Sequence, residues 1–302
     1  MAMTAQRDTS RVALFPGQGA ISPGAGSAWT SAKSWSLVQA ISEVVNVDVE
    51  HLLLRADNDE VVRTDNAQLA TFTLSLLVWK QLSFSAGAPA YFSGHSLGEF
   101  SALVAADVID YVSGSRLVHA RGIAMQQANE LNPGTMAALM GGDENALERL
   151  SEISSLWVAN YNGEGQTVVA GSLAAIAELE ERGKELGWRR VTRLNVGGAF
   201  HSPLMASAVE PLTHELAGIS FQDTDAFVVA NADGTLHQGG EVWRRLLLEQ
   251  LTSPVQFLKG TLSLPQTVVH GIEMPPGSVL SGLVKRIRPF ESLVNVEPGE
   301  GQ

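Results

Sequence analysis

Gly94-His95-Ser96-Leu97-Gly98 constrains what this chain can fold into more than any other stretch. Gly-x-Ser-x-Gly is the spacing of a sharp strand-to-helix turn, a nucleophile elbow, which lifts a serine Oγ clear of the backbone so that it can attack a carbonyl. Strand and helix approach so closely at such a turn that a Cβ on either flank would clash, hence the two glycines. The surroundings agree with the reading. Ala88 to Ser93 predicts a short buried strand. Leu97 to about Ala106 is apolar and rich in helix formers, with Glu99 as an acid in the first turn. The pattern is also short enough to arise as an ordinary Gly/Ser turn, so the rest of the chain has to supply Ser96 with partners.

Composition narrows the classes. The 302 residues are 45% hydrophobic and 17% charged, ample for one large domain or two unequal ones. A net charge of -12 argues against nucleic acid and anionic membranes as main partners. The absence of cysteine removes disulfides, thiolate metal sites and a cysteine nucleophile together, and fits a reducing compartment. Met1 to Ser10 is polar, and the longest apolar stretch, Leu69 to Trp79, is too short to span a bilayer. A cytoplasmic protein is expected.

Along the chain, Arg11 to Phe15 predicts a buried strand stopped by Pro16-Gly17. The glycine-rich loop Gly17 to Gly24 completes neither a P-loop nor a dinucleotide fingerprint. Its backbone N–H groups, with Gln18 among them, suit a developing negative charge better. Helical spacing covers about 32–54, 67–82 and 108–129, and Thr64-Asp65-Asn66 is placed to cap the second. From about Pro133 the texture changes to strand (135–140), helix (143–153), strand (157–159), strand (166–170), helix (174–186) and strand (189–194). That order is β-α-β-β-α-β, a ferredoxin-like unit. The expected organisation is a large subdomain from 11–131 and 197–290, a small inserted one at 132–196, and flexible termini at 1–10 and 291–302. The large part continues with helices over 204–217, 241–251, 256–262 and 278–287, and strands at 227–230 and from Val268.

A serine needs a base within hydrogen-bond reach. Of the seven histidines, His201 stands apart: it follows Gly197-Gly198-Ala199-Phe200 and is fixed by Ser202-Pro203 at a helix start. The alternative is that this segment only caps a helix. His95 adjoins Ser96, but side chains of neighbours at such a turn diverge, which favours a structural role. No Asp or Glu is marked as the third member of a triad; a backbone or side-chain amide oxygen can orient an imidazole instead. Arg121 is either an exposed helix arginine or, if it faces the elbow, a fork for a carboxylate.

Several motifs occur in a telling order: Phe15-Pro16-Gly17-Gln18-Gly19, Gly94-His95-Ser96-Leu97-Gly98-Glu99-Phe100, Arg121-Gly122-x-x-Met125-Gln126, Gly198-Ala199-Phe200-His201-Ser202-x-Leu204-Met205 and Gln250-Leu251-x-Ser253-Pro254-Val255. Asn160-x-Asn162-x-x-x-Gln166-x-Val168-Val169-x-Gly171 joins them. Over about residues 11 to 288 the chain resembles the malonyl-CoA:acyl carrier protein transacylases and the acyltransferases of polyketide synthases.

The resemblance implies an α/β-hydrolase-like core with a parallel sheet, carrying a ferredoxin-like insert. It implies a Ser96–His201 dyad, the imidazole held by the main-chain carbonyl of Gln250, and an oxyanion hole from the N–H groups of Gln18 and Leu97. Arg121 would bind the malonyl carboxylate, with Phe200, Asn160 and Gln166 also at the substrate. Ping-pong transfer of malonyl from CoA to the phosphopantetheine thiol of an acyl carrier protein follows, in fatty-acid or polyketide synthesis. No tightly bound cofactor or metal is implied: the CoA thioester is substrate, and the partner carries the phosphopantetheine. A monomer is expected.

Gly-Ala-Phe-His resembles the malonate-selective form of the histidine motif. Glu273-Met274-Pro275-Pro276-Gly277 departs from the family's Gly-Pro-Gly. A trans-acting polyketide acyltransferase with another extender unit, an acyl-thioester hydrolase with the same dyad and an idle scaffold that docks carrier protein are the competing readings. An acidic carrier protein calls for a basic patch, with Arg189, Arg190, Arg193, Lys285, Arg286 and Arg288 as candidates.

Overall fold

The computed structural model describes residues 6–84 and 87–298. Its centre is β1 (Asp8–Phe15), whose apolar run is buried on both faces. Alternation sends Ala13 and Phe15 to one side of the sheet and Val12 and Leu14 to the other, each into a separate core. After β1 come α1 (Ser36–Val45), α2 (Val49–Leu54), α3 (Asn58–Val61) and α4 (Thr64–Gln81). The single helix expected over 32–54 is broken: Asn46 takes a left-handed conformation with φ 55°, and the Asp48 side chain caps α2 at the His51 N–H. The helix α4 starts at Thr64 itself, with Arg63 before it and no side-chain cap. It is buried almost all round, which makes it the central helix of the larger core.

The strand β2 (Pro89–Gly94) lies parallel to β1 and leads into α5 (Leu97–Ala105), followed by α6 (Tyr111–Leu131). The small unit then runs β3 (Gly134–Gly142), α7 (Ala146–Arg149), β4 (Leu156–Gly163), β5 (Gln166–Ser172), α8 (Leu173–Arg182) and β6 (Trp188–Arg193). Its four strands are antiparallel in the order β4-β5-β3-β6, the ferredoxin-like arrangement. The helix expected over 143–153 shrinks to one α turn and a 3-10 turn. One face of this sheet packs on α7 and α8 through Leu139, Val169, Ile176 and Leu179; Met136, Ala159, Val168 and Ala170 join the core of the large unit.

The chain returns through a 3-10 turn (Pro203–Ala208), α9 (Val209–Ala217), β7 (Phe227–Val229), β8 (Leu236–His237), α10 (Trp243–Thr252), α11 (Phe257–Ser263), β9 (His270–Glu273), α12 (Val279–Ile287) and β10 (Ser292–Asn295). The large sheet has the order β10-β9-β1-β2-β7-β8, parallel except for the β7–β8 pair. Of the termini expected to be flexible, residues 1–5 and 299–302 lie outside the described residues. Asp8 to Ser10 belong to β1, and Ser292–Asn295 forms the edge strand β10, paired with β9. Polar side chains disguised that strand because an edge strand has a solvated side to fill. Among the described residues no helix is long and apolar enough to cross a membrane.

Candidate active site

The elbow stands at the carboxyl end of β2, beside the central β1, where open parallel sheets place their ligands. Its glycines are required by contact. A Cβ on Gly94 would come within 2.0 Å of the Gly98 carbonyl, and one on Gly98 within 2.0 Å of the Phe15 carbonyl oxygen. Between them Ser96 has φ 53° and ψ -108°, a strained conformation for a side-chain-bearing residue. Asn231, at the end of the neighbouring β7, clamps it: Asn231 Oδ1 accepts the Ser96 N–H at 2.6 Å, and Nδ2 donates to the Gly94 carbonyl at 2.7 Å.

Ser96 Oγ has two partners. His201 Nε2 is 2.8 Å away, and Arg121 Nη2 donates to Oγ at 3.0 Å. The hydroxyl can give its proton to the imidazole while accepting from the guanidinium. His201 also sits at positive φ, 57°, in a turn held by Ser202 Oγ donating to the Ala199 carbonyl at 2.6 Å. Its Nδ1 lies 2.7 Å from the main-chain oxygen of Gln250. That carbonyl is open for a local reason. Its helical donor would be the N–H of residue 254, which is a proline and has none. Burial, followed by the charge of Arg121, pushes the imidazole down to about 3, so it is a neutral base at working pH.

Arg121 projects from α6 and is fully buried. Its Nη1 donates to Gln68 Oε1 at 2.6 Å and Nη2 to Gln250 Oε1 at 2.8 Å, while Nε is buried with no hydrogen-bond partner. The guanidinium lies 5.3 Å from the Phe100 ring centroid. Burial lowers it to about 10, which leaves it charged. A cation whose hydrogen bonds end on neutral groups is a site made for an anion.

Of the remaining expected residues, Leu97 is the first residue of α5 and Gln18 the first of a 3-10 turn (Gln18–Ala20), so neither N–H has an acceptor within its own helix. The Phe15–Gln18 segment touches the elbow directly, since the Phe15 carbonyl accepts the His95 N–H at 3.1 Å. Phe200 is buried beside Gly198. Asn160 Nδ2 is 3.2 Å from His95 Nε2, and Asn162 Oδ1 is 2.9 Å from the same nitrogen, which ties His95 to the small sheet. Gln166 stands apart from this cluster: its Oε1 accepts from Arg286 at 2.7 Å near the surface. Two of the expected surface cations are taken up. Arg193 pairs with Glu180, and Arg288 donates to the carbonyls of Leu264, Pro265 and Val268.

Sequence reasoning missed Gln68 and Asn231. Glu99 is the first-turn acid of α5, as expected, and is in addition fully buried, accepting from the Asn231 N–H at 2.8 Å and, in a short contact, from Gln250 Nε2. The signal was available: Leu97 to Ala105 has no polar face on which an acid could stay in water. No such signal marks Asn231, whose role depends on β7 lying next to β2.

Among the described residues no group of His, Asp and Glu is arranged to hold a metal ion. The model of the acyl transferase domain matches residues 13–298. A malonyl CoA-acyl carrier protein transacylase of Staphylococcus aureus is 35% identical over 295 residues, covering 94% of each chain. The structure of a malonyl-CoA:acyl carrier protein transacylase from Xanthomonas oryzae pv. oryzae superposes with a TM-score of 0.89 at 33% identity, covering 96% of this chain and 95% of that one. A type II polyketide synthase acyl-carrier protein in complex with its malonyl-transacylase gives 0.90 at 32% identity, covering 97% of both. The chain belongs to the malonyl-CoA:acyl carrier protein transacylases, within the acyl transferase domain family.

Proposed function

We propose that this protein transfers a malonyl group from malonyl-CoA to the phosphopantetheine thiol of an acyl carrier protein through an ester on Ser96. The observation that carries the reading is a single oxygen, Ser96 Oγ, within 3.0 Å of both a neutral imidazole and a buried guanidinium. The first partner makes a nucleophile, and the second selects an acyl group that ends in a carboxylate.

His201 Nε2 takes the hydroxyl proton as Oγ attacks the thioester carbonyl. The tetrahedral oxyanion is received by the N–H groups of Leu97 and Gln18, each such donor contributing about 3 kcal/mol in related chemistry. The C–S bond breaks, and the imidazolium returns its proton to the CoA thiolate. The carrier's thiol then gives its proton to His201 and attacks the malonyl ester; as the ester C–O bond breaks, the imidazolium passes that proton to the Ser96 oxygen, restoring the hydroxyl. Gln250 keeps the imidazole in the tautomer that both halves need. Arg121 holds the distal carboxylate, and Phe200 limits room beside its α-carbon. Asn160, through His95, and Gln166, on the rim, belong to the path of the CoA or phosphopantetheine arm. The reaction requires no resident cofactor, and a cytoplasmic location follows from its substrates.

Incubation with malonyl-CoA followed by intact-mass and peptide analysis tests this. A malonyl adduct on Ser96, lost in Ser96→Ala and discharged by holo carrier protein, is expected. No adduct on the wild type, or an undiminished one on Ser96→Ala, overturns the reading.

A further inference from the structure

Glu99 is a fully buried acid that the transfer chemistry does not use. Each of its oxygens receives one N–H. Oε1 accepts from Asn231 N at 2.8 Å, and Oε2 accepts from Gln250 Nε2. Both donors lead to the reacting centre. Asn231 is the residue that clamps the elbow. The Gln250 amide has its nitrogen shared between Glu99 and the Ser96 carbonyl, at 3.0 Å from the latter, and its oxygen on Arg121 Nη2 at 2.8 Å. Only one orientation of that amide satisfies all its neighbours. Turned over, its NH2 would face the guanidinium and its oxygen would face two acceptors.

We propose that Glu99 is a positioning residue for carboxylated acyl groups: it locks the Gln250 side chain with its oxygen towards Arg121, and so aims the guanidinium at the distal carboxylate. The proposal rests on the transacylase reading above. Glu99 and Arg121 are separated by the Gln250 amide, so the acid steadies the cation without occupying the face that the substrate carboxylate uses. A carboxyl group has an acceptor lone pair on both oxygens, whereas a glutamine there has one acceptor and one NH2. Glu99→Gln therefore sets an NH2 against either the Asn231 main-chain N–H or the Gln250 amide; the main chain is fixed, so the Gln250 amide has to turn or lose its partner.

The test is the acyl selectivity of Glu99→Gln, measured as kcat/KM for malonyl-CoA and acetyl-CoA loading on Ser96, with thermal unfolding as a control. At least a tenfold fall for malonyl-CoA is expected, with acetyl-CoA falling at least fivefold less. In the background of Arg121→Ala, Glu99→Gln should add little further loss for malonyl-CoA, since the two act as one unit. Gln250→Met keeps the main-chain carbonyl for His201 but removes the amide, and it should show the same malonyl-specific loss even if Glu99→Gln folds poorly. Equal losses for both acyl groups in Gln250→Met and in a folded Glu99→Gln, or losses that add fully to that of Arg121→Ala, would overturn the proposal. A wild-type protein that loads no malonyl group would instead sink the transacylase reading itself.

Discussion

His201 Nδ1 and the main-chain carbonyl of Gln250 lie 2.7 Å apart, so the imidazole beside Ser96 is oriented by a neutral acceptor and not by a carboxylate. An anion there would raise the imidazole pKa; a carbonyl does so weakly, and burial with Arg121 pulls it down to about 3. The free enzyme therefore keeps its base unprotonated well below the usual histidine range. The log of kcat/KM for malonyl-CoA should stay level from about pH 8 to about pH 5, with no break near 6.5. Stopped-flow CoA release across that range checks this, and an acid limb centred near 6.5 would refute it. Stability follows the same sign. Below the unfolded value the denatured chain binds a proton that native His201 refuses, so this group's contribution is lost as pH falls from about 6.5.

In the proposed function Arg121 supplies the selectivity. Replacing it with alanine removes charge-assisted hydrogen bonds worth roughly 1.5–3 kcal/mol each, or about 10- to 150-fold. Arg121→Ala should lower malonyl loading by at least that range while leaving acetyl loading near wild type or raised. Competition between the two thioesters, read by mass on Ser96, gives the ratio. Equal loss for both would make Arg121 a structural residue.

The sequence displayed the site better than it displayed the large sheet that carries it. Ser96 and His201 lie on turns whose residues are sterically forced, and Pro254 marks the open Gln250 carbonyl. Such requirements are local and can be read along the chain. The order of the six large-sheet strands cannot, and so nothing along the chain marks Asn231. β8 and β10, with two and four residues, are too short and too polar for a period to emerge. The expected helices form where a long run of helix formers carries the core, as in α4 and α5, which are buried nearly all round. They failed where a left-handed residue broke the run at Asn46, or where only one turn formed at Ala146–Arg149.

Gly98 and Gly19 stand in opposite surroundings. A Cβ on Gly98 meets the Phe15 carbonyl at 2.0 Å, while one on Gly19 has nothing within 4 Å. Gly98→Ala should destabilise the fold by about 1–3 kcal/mol or more and abolish malonylation, because backbone has to move under the elbow. Gly19→Ala should change stability by no more than about 0.5 kcal/mol. Urea unfolding of the two variants decides the matter.

Glu99 leaves a thermodynamic signature. Burial pushes its carboxyl up to about 8, against the opposing pull of the Asn231 N–H, the Gln250 amide and Arg121; Asp233 adds a small upward push. A folded value above the unfolded one means stabilisation that is complete at low pH and lost as pH rises from about 4.5 to about 8. The difference in unfolding midpoint between wild type and Glu99→Gln should shift against the wild type across that interval. A difference independent of pH from 5 to 9 would show that Glu99 does not titrate there.

Register across the small sheet aligns Arg190 with Met140, Met140 with Gln166, and Gln166 with Gly163; Arg286 on α12 reaches over to Gln166. Arg190 and Arg286 thus share this rim, and their neighbours in sequence Arg189 and Lys285 are exposed too, on a chain whose net charge is -12. An acidic carrier protein steered to that rim should load more slowly as salt rises, because exposed charges are screened within about 10 Å at 0.1 M. Arg286→Glu should raise the KM for holo carrier protein about 2- to 10-fold, the range of one or two rim contacts of about 0.2–1 kcal/mol. Acyl loading from malonyl-CoA in the first half-reaction should fall by a smaller factor than the carrier KM rises. Single-turnover measurements separate the halves, and a carrier KM indifferent to both salt and Arg286→Glu would move the docking surface elsewhere.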